Sequence, residues 1–350
     1  MKLSLIFTVL NEGDSIRPLL ESLCRQTRQP DEVVVADGGS ADGTVRVLQE
    51  YAGRLNLRVI KAPGSNIAQG RNEAIRSAVG DVIAVTDAGV VCEAEWLERL
   101  AAPFASPPAP PAPLRSGDHT PSAGRGCRGG LLTQSHRQER GEFAGVAGFF
   151  KSAPRSAFEV AVGATVLPDA EEINPATYLP SSRSVAFFKS AWEAVGGYPE
   201  WLDYSEDVVF DQALRARYGP FQFVPEALVH FRPRSSLGEF FRQYYQYARG
   251  DGRAGLFTRL HLIRYFAYLV AVPLGVYAAL TVSPWLWLLG ALAGLAYLRR
   301  PLLRLRGKFE TLAPLERLEM LALIPVIRFV GDVAKMLGWP VGVMWRITNG

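Results

Sequence analysis

Short apolar runs alternate with helical periodicities over the first hundred residues. The runs at residues 3–9, 32–36, 57–60 and 81–86 have the length and β-branched content of buried strands. Between them, apolar residues recur every three or four positions, which is typical of amphipathic helices. This alternation predicts right-handed crossovers and a mostly parallel sheet, so the expected fold class is α/β.

The middle of the chain continues the pattern with shorter elements. Strands are predicted at residues 144–150, 184–188 and 221–224. Helices are predicted at residues 191–195 and 207–217. These elements are expected to complete the same sheet.

Glycine is a common carboxyl-terminal cap of helices, so the helix predicted over residues 67–79 should end at Gly80.

One segment interrupts the alternation of strands and helices. Residues 106–142 are rich in proline, glycine, arginine and serine and have few large apolar side chains. Such a composition cannot bury enough surface to offset chain entropy. We therefore expect a disordered insertion within an amino-terminal domain of residues 1–255.

The last third of the chain carries two long apolar runs. Residues 265–282 and 284–298 approach the roughly 20 residues that cross a bilayer as a helix, so they predict a membrane hairpin. Trp285, Trp287 and Tyr297 lie near the ends of the runs, where interfacial aromatic residues are enriched. The alternative is a pair of core helices in a soluble domain.

Basic residues flank the hairpin on both outer sides. Arg259 and Arg264 precede it. The residues that follow it are Arg299, Arg300, Arg304, Arg306 and Lys308. The positive-inside rule then predicts an inner-membrane protein with its amino-terminal domain in the cytoplasm. A further stretch, residues 321–330, predicts either a third span or an interfacial helix within a carboxyl-terminal membrane region of residues 256–350.

Composition narrows the classes of function. The formal net charge is +4 and the sequence pI is about 9.0. This excess suits phosphates or an anionic membrane surface, but it is too small to indicate nucleic acid as a partner. The chain has three cysteines, an odd number without paired spacing: Cys24, Cys92 and Cys127. They argue against a disulfide framework and a zinc site, and they fit a reducing compartment.

Polar residues cluster where the predicted strands end, which is the edge where open α/β sheets bind ligands. The candidate residues at or beside these ends are Thr8, Asn11, Glu12, Asp37, Gly39, Ser40, Arg71 and Asp87, of which Gly39 belongs to the turn after Asp37 and Arg71 to the helix predicted over residues 67–79. The Asp37 carboxylate can accept from a nucleobase N–H, and the glycine turn after it lets backbone approach a ligand. Arg71 can pair with a diphosphate, and Asp87 can hold a ribose hydroxyl or a metal.

The order of these motifs resembles that of family 2 glycosyltransferases of the GT-A fold. The matching stretches are residues 8–12, 37–44 and 70–72, Asp87, and the pair Glu206-Asp207. The resemblance covers residues 1 to about 105 and about 144 to 250. It implies that the clustered residues line a nucleotide-sugar pocket and that Asp207 is the general base. Glu206 would then orient Asp207 or cap its helix.

The chain departs from the family at Asp87-Ala88-Gly89, where family members have Asp-x-Asp. Gly89 replaces the carboxylate that is expected to bind metal. A divalent cation, Mg²⁺ or Mn²⁺, would then depend on Asp87, with His230 as a second ligand. A hydrogen-bonded or surface histidine explains His230 equally well.

Together these features predict an inverting, membrane-associated glycosyltransferase. It would move a sugar from a nucleotide-sugar donor to a lipid-linked or cell-envelope polysaccharide acceptor by direct displacement. The alternative is a non-catalytic membrane protein that keeps the fold as a nucleotide-binding or scaffold module. A dinucleotide-dependent oxidoreductase is a weaker option, because residues 8–14 lack Gly-x-Gly-x-x-Gly.

Overall fold

The structure, a computed structural model, describes residues 1–105, 143–306 and 313–349. The insertion predicted over residues 106–142 lies outside the described residues, as do Cys127 and Lys308. The strands are β1 (Leu3–Val9), β2 (Glu32–Asp37), β3 (Leu57–Lys61), β4 (Val82–Val85), β5 (Val90–Cys92), β6 (Val146–Ser152), β7 (Val185–Phe188) and β8 (Gln222–Phe231).

These strands form one sheet in the order β3-β2-β1-β4-β7-β6-β8-β5. The four strands β3, β2, β1 and β4 pair in parallel, as the alternating pattern predicts. Beyond β4 the sheet is mixed, because β7 runs antiparallel to both β4 and β6. The α/β class is confirmed, and parallel pairs recur in the second half, where β6 pairs in parallel with β8.

Helices cover both faces of the sheet and extend beyond it. They are α1 (Arg17–Cys24), α2 (Thr44–Leu55), α3 (Ile67–Ser77), α4 (Trp96–Ala105), α5 (Ala157–Val166), α6 (Lys189–Val195), α7 (Glu206–Tyr218), α8 (Leu237–Ala254), α9 (Thr258–Phe266), α10 (Val272–Thr281), α11 (Leu286–Arg306) and α12 (Pro314–Asn349). In β1, Leu5 and Phe7 belong to one core and Ile6 to the other. Because successive strand residues face opposite ways, this central strand is apolar on both faces.

Gly80 has a different role from the predicted helix cap. Helix α3 ends at Ser77, and Ala78 is its carboxyl-terminal cap in an extended conformation. Gly80 instead passes against β1, where its N–H donates to Ser4 Oγ at 2.8 Å. A Cβ at this position would overlap Ser4, so close backbone approach is what requires glycine here.

Two helical segments are long and apolar enough to cross a membrane. The first, Thr258–Thr281, runs through α9, a π-helical stretch and α10, and the second, Leu286–Leu305, lies within α11. Their large side chains are exposed, for example Leu280 at 71% and Trp287 at 50%. These segments are therefore not core helices of the described protein.

Helix α12 contains the third apolar stretch and packs lengthwise against α8. Gly338 and Gly342 lie directly against the backbone carbonyls of Tyr245 and Arg249, where any Cβ would overlap them. One side of α12 is buried, and the opposite side exposes apolar residues such as Phe329. The small residues thus let α12 approach α8 closely while an apolar face remains uncovered.

Candidate active site

The loops that follow β1 and β2 are hydrogen-bonded to each other. The Asn11 N–H donates to Ser40 Oγ at 2.9 Å, and Asn11 Oδ1 accepts from the N–H of Ala41 at 2.9 Å. Asn11 adopts a left-handed conformation with φ +55°, which asparagine tolerates better than most residues. Asp37 is 5% exposed and accepts from the N–H of Ser40 at 3.1 Å. The two loops therefore form one floor at the carboxyl ends of adjacent strands.

Glycines shape the sides of this floor. Gly39 has φ +102°, and a Cβ there would lie 3.3 Å from Pro63. Gly70 brings α3 against Thr8, since a Cβ at Gly70 would lie only 3.0 Å from Thr8 Cγ2. The predicted donor residues of the first two strand ends thus lie together at one edge of the sheet.

Glu12 is fixed within the same loop. Its N–H donates to Thr44 Oγ1 at 2.9 Å, and its carboxylate accepts from Ser15 Oγ at 2.8 Å. Thr44 begins α2, so this contact ties the end of β1 to the helix that follows β2. The loop carrying Asn11 and Glu12 therefore has a defined position relative to the Asp37 turn.

Arg71 joins the two halves of the site. Its Nη1 donates to Glu206 Oε1 at 2.6 Å, and its Nη2 donates to Asp87 Oδ1 at 2.9 Å. The residue is 2% exposed, and its guanidinium lies 5.4 Å from the centre of the Tyr198 ring. Arg71 is therefore committed to two carboxylates, and this arrangement leaves it no surface for the direct diphosphate contact that was predicted.

Glu206 and Asp207 form the first turn of α7. Burial raises the pKa of Glu206 to about 7, and the neighbouring Asp207 charge adds to the effect against the opposing influence of Arg71. Burial also raises the pKa of Asp207, whose Oδ1 accepts from the N–H of Val208 at 2.9 Å. Asp211, one turn further along, has a pKa raised well above its usual range by burial. Carboxyls held this way are stronger proton acceptors than exposed ones.

The start of α7 is held by a residue in an unusual conformation. Ser205, which precedes Glu206, has φ +65°. Its Oγ donates to Asp251 Oδ1 on α8 at 3.0 Å, and Asp251 Oδ2 lies 3.3 Å from His261 Nε2 on α9. Gly250 packs against the carbonyl of Tyr204, which brings α8 close to this turn. The carboxylate pair is thus fixed by the helices that lead into the apolar tail.

Arg183 is a site residue that the sequence patterns did not indicate. Its Nε lies 3.7 Å from Asp87 Oδ2, and its Nη1 donates to Ser181 Oγ at 3.0 Å. Its guanidinium lies 4.6 Å from the centre of the Phe231 ring. The signal that could have found it is the direction of β7, because the amino end of an antiparallel strand meets the carboxyl end of β4.

His230 is paired with Glu93. It lies within β8, beyond the predicted strand end at residue 224, and its Nε2 is 3.0 Å from Glu93 Oε1. Neighbouring strand residues face opposite sides of a sheet, and the next residue, Phe231, contacts Arg183 on the Asp87 side. The contact with Glu93 favours the alternative of a hydrogen-bonded histidine, and a metal site shared with Asp87 stays a prediction.

The residues present do not fit a metal site built on two carboxylates. Both Asp87 oxygens face guanidinium groups, and position 89 is glycine. Within residues 1–105, 143–306 and 313–349, no group of three His, Cys, Asp or Glu side chains is arranged to hold a metal ion. His230 also lies near the carboxyl end of a strand that runs parallel to β4, but its ring nitrogen faces Glu93.

Comparison with known proteins finds a family model that matches the first part of the chain. Residues 4–152 match the model of the family described as "Glycosyl transferase family 2". The chain therefore carries a family 2 glycosyltransferase segment, on the GT-A fold that the sequence resemblance predicted. A solved structure, "Mannosyltransferase PcManGT from Pyrobaculum calidifontis in complex with GDP-Man and Mn2+", superposes with TM-score 0.60 at 19% identity, covering 96% of this chain and 87% of that one.

Curated relatives match part of the chain. "Validoxylamine A glucosyltransferase" of Streptomyces hygroscopicus subsp. limoneus is 32% identical over 109 residues, which is 30% of this chain and 24% of that protein. "Undecaprenyl-phosphate 4-deoxy-4-formamido-L-arabinose transferase" of Pseudomonas fluorescens (strain Pf0-1) is 32% identical over 110 residues, which is 28% of this chain and 31% of that protein. The chain spans about a quarter to a third of the length of these relatives.

Proposed function

We propose that this protein is an inverting glycosyltransferase that moves a sugar from a nucleotide-sugar donor to a lipid-linked or cell-envelope polysaccharide acceptor. The observation that carries the proposal is the ion-pair bridge from Asp87 through Arg71 to Glu206. It brings the edge that follows β4 beside the Glu206-Asp207 pair, although Asp87 and that pair are far apart in the sequence.

Asp207 is the proposed general base. It accepts the proton of the acceptor hydroxyl while that oxygen bonds to the anomeric carbon, and the bond from that carbon to the diphosphate oxygen breaks. The electron pair of the broken bond leaves on the diphosphate. A single displacement of this kind inverts the anomeric centre and requires no covalent enzyme intermediate. The raised pKa of Asp207 supports the role, because a carboxylate that holds a proton more tightly is a better base.

The proposed place of action is a membrane. Two exposed apolar helices of spanning length support it, since exposed apolar surface of this extent is rarely left in water. Arg304, at the end of the second segment, donates to Glu172 Oε2 at 2.6 Å and to the carbonyl of Ala164, so this basic flank lies on the catalytic side. With the positive-inside rule, this arrangement supports a catalytic domain on the cytoplasmic face. The relative named for undecaprenyl phosphate supports a lipid acceptor.

The test uses the full chain purified in detergent and membranes that contain it. Labelled UDP-, GDP- and dTDP-sugars are supplied with a lipid extract, and donor consumption and product stereochemistry are measured. We expect one donor class to be consumed with inversion. Folded protein that neither binds nor consumes any of the three classes would contradict the proposal. Binding without turnover across many acceptors would favour the non-catalytic nucleotide-binding alternative.

Membrane association is tested separately by washing membranes with alkaline carbonate. A protein that spans the bilayer through Thr258–Thr281 and Leu286–Leu305 stays in the pellet. Release into the supernatant would contradict the two predicted spans without bearing on the transfer chemistry.

A further inference from the structure

A leaving diphosphate is stabilised by a nearby positive charge, but the charge of Arg71 is already paired with two carboxylates. Both of its Nη atoms are already bound to the carboxylates of Asp87 and Glu206, and the side chain is 3% exposed. Arg183 is the second arginine that faces the Asp87 carboxylate, and its side chain is 24% exposed. It is the more accessible of the two guanidinium groups that flank Asp87.

We propose that Arg183 binds the diphosphate of the donor, and that Asp87 orients the Arg183 guanidinium instead of serving as one of two metal-binding carboxylates. This inference rests on the proposed function and deepens it, because it names the group that receives the leaving charge. Arg183 would act on the leaving group while Asp207 acts on the acceptor.

The geometry of Arg183 suits this role. Phe231 lies under the guanidinium at 4.6 Å and Ser181 accepts from Nη1, so the plane of the group is set before a ligand arrives. Its Nε faces Asp87 Oδ2 at 3.7 Å, which is ion-pair range but beyond a normal hydrogen bond. A guanidinium has N–H donors in a planar fork, which matches two phosphate oxygens.

The backbone places Arg183 at the right edge of the sheet. Its carbonyl accepts from Thr86 Oγ1 at 2.9 Å, and Thr86 directly precedes Asp87. Strand β7 begins at Val185, just after Arg183, and pairs antiparallel with β4, with Val185 opposite Val85. Arg183 therefore lies at the ligand edge because β7 runs against the first half of the sheet.

Gly89 is consistent with the same assignment. A Cβ at position 89 would meet no atom within 4 Å, so nothing in the described residues requires glycine there on steric grounds. In the family that the sequence resembles, the residue at position 89 is an aspartate. Here position 89 is glycine, and Arg183 is the second arginine that faces Asp87. A carboxylate at position 89 would add negative charge next to the proposed diphosphate, whereas Arg183 adds positive charge.

The experiment compares nucleoside diphosphates with their monophosphates. Full-length protein in detergent is titrated by calorimetry with UDP, GDP and dTDP, and with UMP, GMP and dTMP, once with EDTA and once with Mn²⁺. We expect wild-type protein to bind its preferred diphosphate more tightly than the monophosphate with EDTA present. Arg183→Gln should weaken diphosphate binding by on the order of ten- to a hundredfold, as loss of charge-assisted hydrogen bonds does, and leave monophosphate binding unchanged.

Matched variants separate the role from a folding defect. Arg99→Gln removes an exposed arginine on α4 that pairs with Glu95, and it should change neither affinity. Phe231→Leu keeps Arg183 but removes the ring beneath it, and it should weaken diphosphate binding less than Arg183→Gln does. Gly89→Asp should leave the melting temperature nearly unchanged and make diphosphate binding depend on Mn²⁺.

Several results would overturn the inference. Equal losses for diphosphate and monophosphate in Arg183→Gln would show a structural role only. If EDTA abolishes diphosphate binding in wild-type protein, a metal ion and not Arg183 is the group that stabilises the leaving diphosphate. If wild-type protein binds and transfers sugar but Arg183→Gln is unaffected, this inference fails alone. If folded wild-type protein binds none of the six nucleotides, the proposed function fails together with it.

Discussion

Arg71 on α3 and Glu206 on α7 meet at 2.6 Å across 135 residues of sequence, and both are buried. The contact holds the first half of the sheet, which carries the proposed donor loops, against the helix that carries the proposed base. A buried ion pair of this kind contributes little net stability, but loss of one partner leaves a charge in a poorly solvated place.

Substitution of the base should separate binding from transfer. Asp207→Asn keeps the shape of the side chain and removes its ability to accept a proton. We expect the transfer rate to fall by about 10²- to 10⁴-fold, with nucleotide affinity changed less than about threefold. Single-turnover transfer and calorimetric titration measure the two quantities. Transfer that survives the substitution would show that another group is the base.

Removal of Arg71 should destabilise the protein. Arg71→Ala leaves Glu206 and Asp87 without their shared partner, and we expect a loss of about 3–5 kcal/mol in the free energy of unfolding. The control is Arg46→Ala, since Arg46 pairs with Glu50 at the surface at 3.5 Å, and its loss should cost less than about 1 kcal/mol. Thermal unfolding in detergent measures both. Equal losses of unfolding free energy in the two variants would show that the buried ion-pair bridge does not contribute to stability.

Stability should fall with rising pH because of Glu206. Its pKa in the folded protein is about 7 and its ordinary value is 4.5, so the folded state binds this proton more tightly than the unfolded state does. The associated stability is fully present below pH 4.5 and is lost as the pH rises to about 7.

Glu206→Gln isolates that contribution, because glutamine stays neutral throughout. We expect the variant to gain stability relative to wild-type protein as the pH rises from about 4.5 to about 7, by up to roughly 3 kcal/mol. Melting curves of both proteins across this range provide the measurement. A gain that shrinks with rising pH would mean that the pairing with Arg71 outweighs burial.

The contact between α8 and α12 should be sensitive to one methyl group. Gly342→Ala places a Cβ against the carbonyl of Arg249, and we expect the helices to separate and stability to fall. Gly53→Ala on α2 is the matched control, since a Cβ there meets nothing within 4 Å. It should raise stability by roughly 0.5–1 kcal/mol through helix propensity. Thermal unfolding measures both variants, and stabilisation by both changes would contradict the close packing.

Much of the first half could be predicted because its signals are local. The apolar run of β1 and the Asp37 turn each specify their own backbone through side-chain pattern and glycine placement. The parallel pairing of β1 with β2 and β4 then follows from the alternation with helices, and it collects Thr8, Asn11, Asp37 and Asp87 at one edge.

The sequence by itself determined the α/β class, the polar turns at the ends of the first strands, the Glu206-Asp207 pair and the apolar tail, since each depends on neighbours within a few positions. Only the tertiary structure decided the rest. It reversed β7 and so brought Arg183 to Asp87, turned His230 towards Glu93, and buried Arg71 between two carboxylates. Strand direction and the face a side chain takes depend on pairing with distant segments, and no local pattern encodes either.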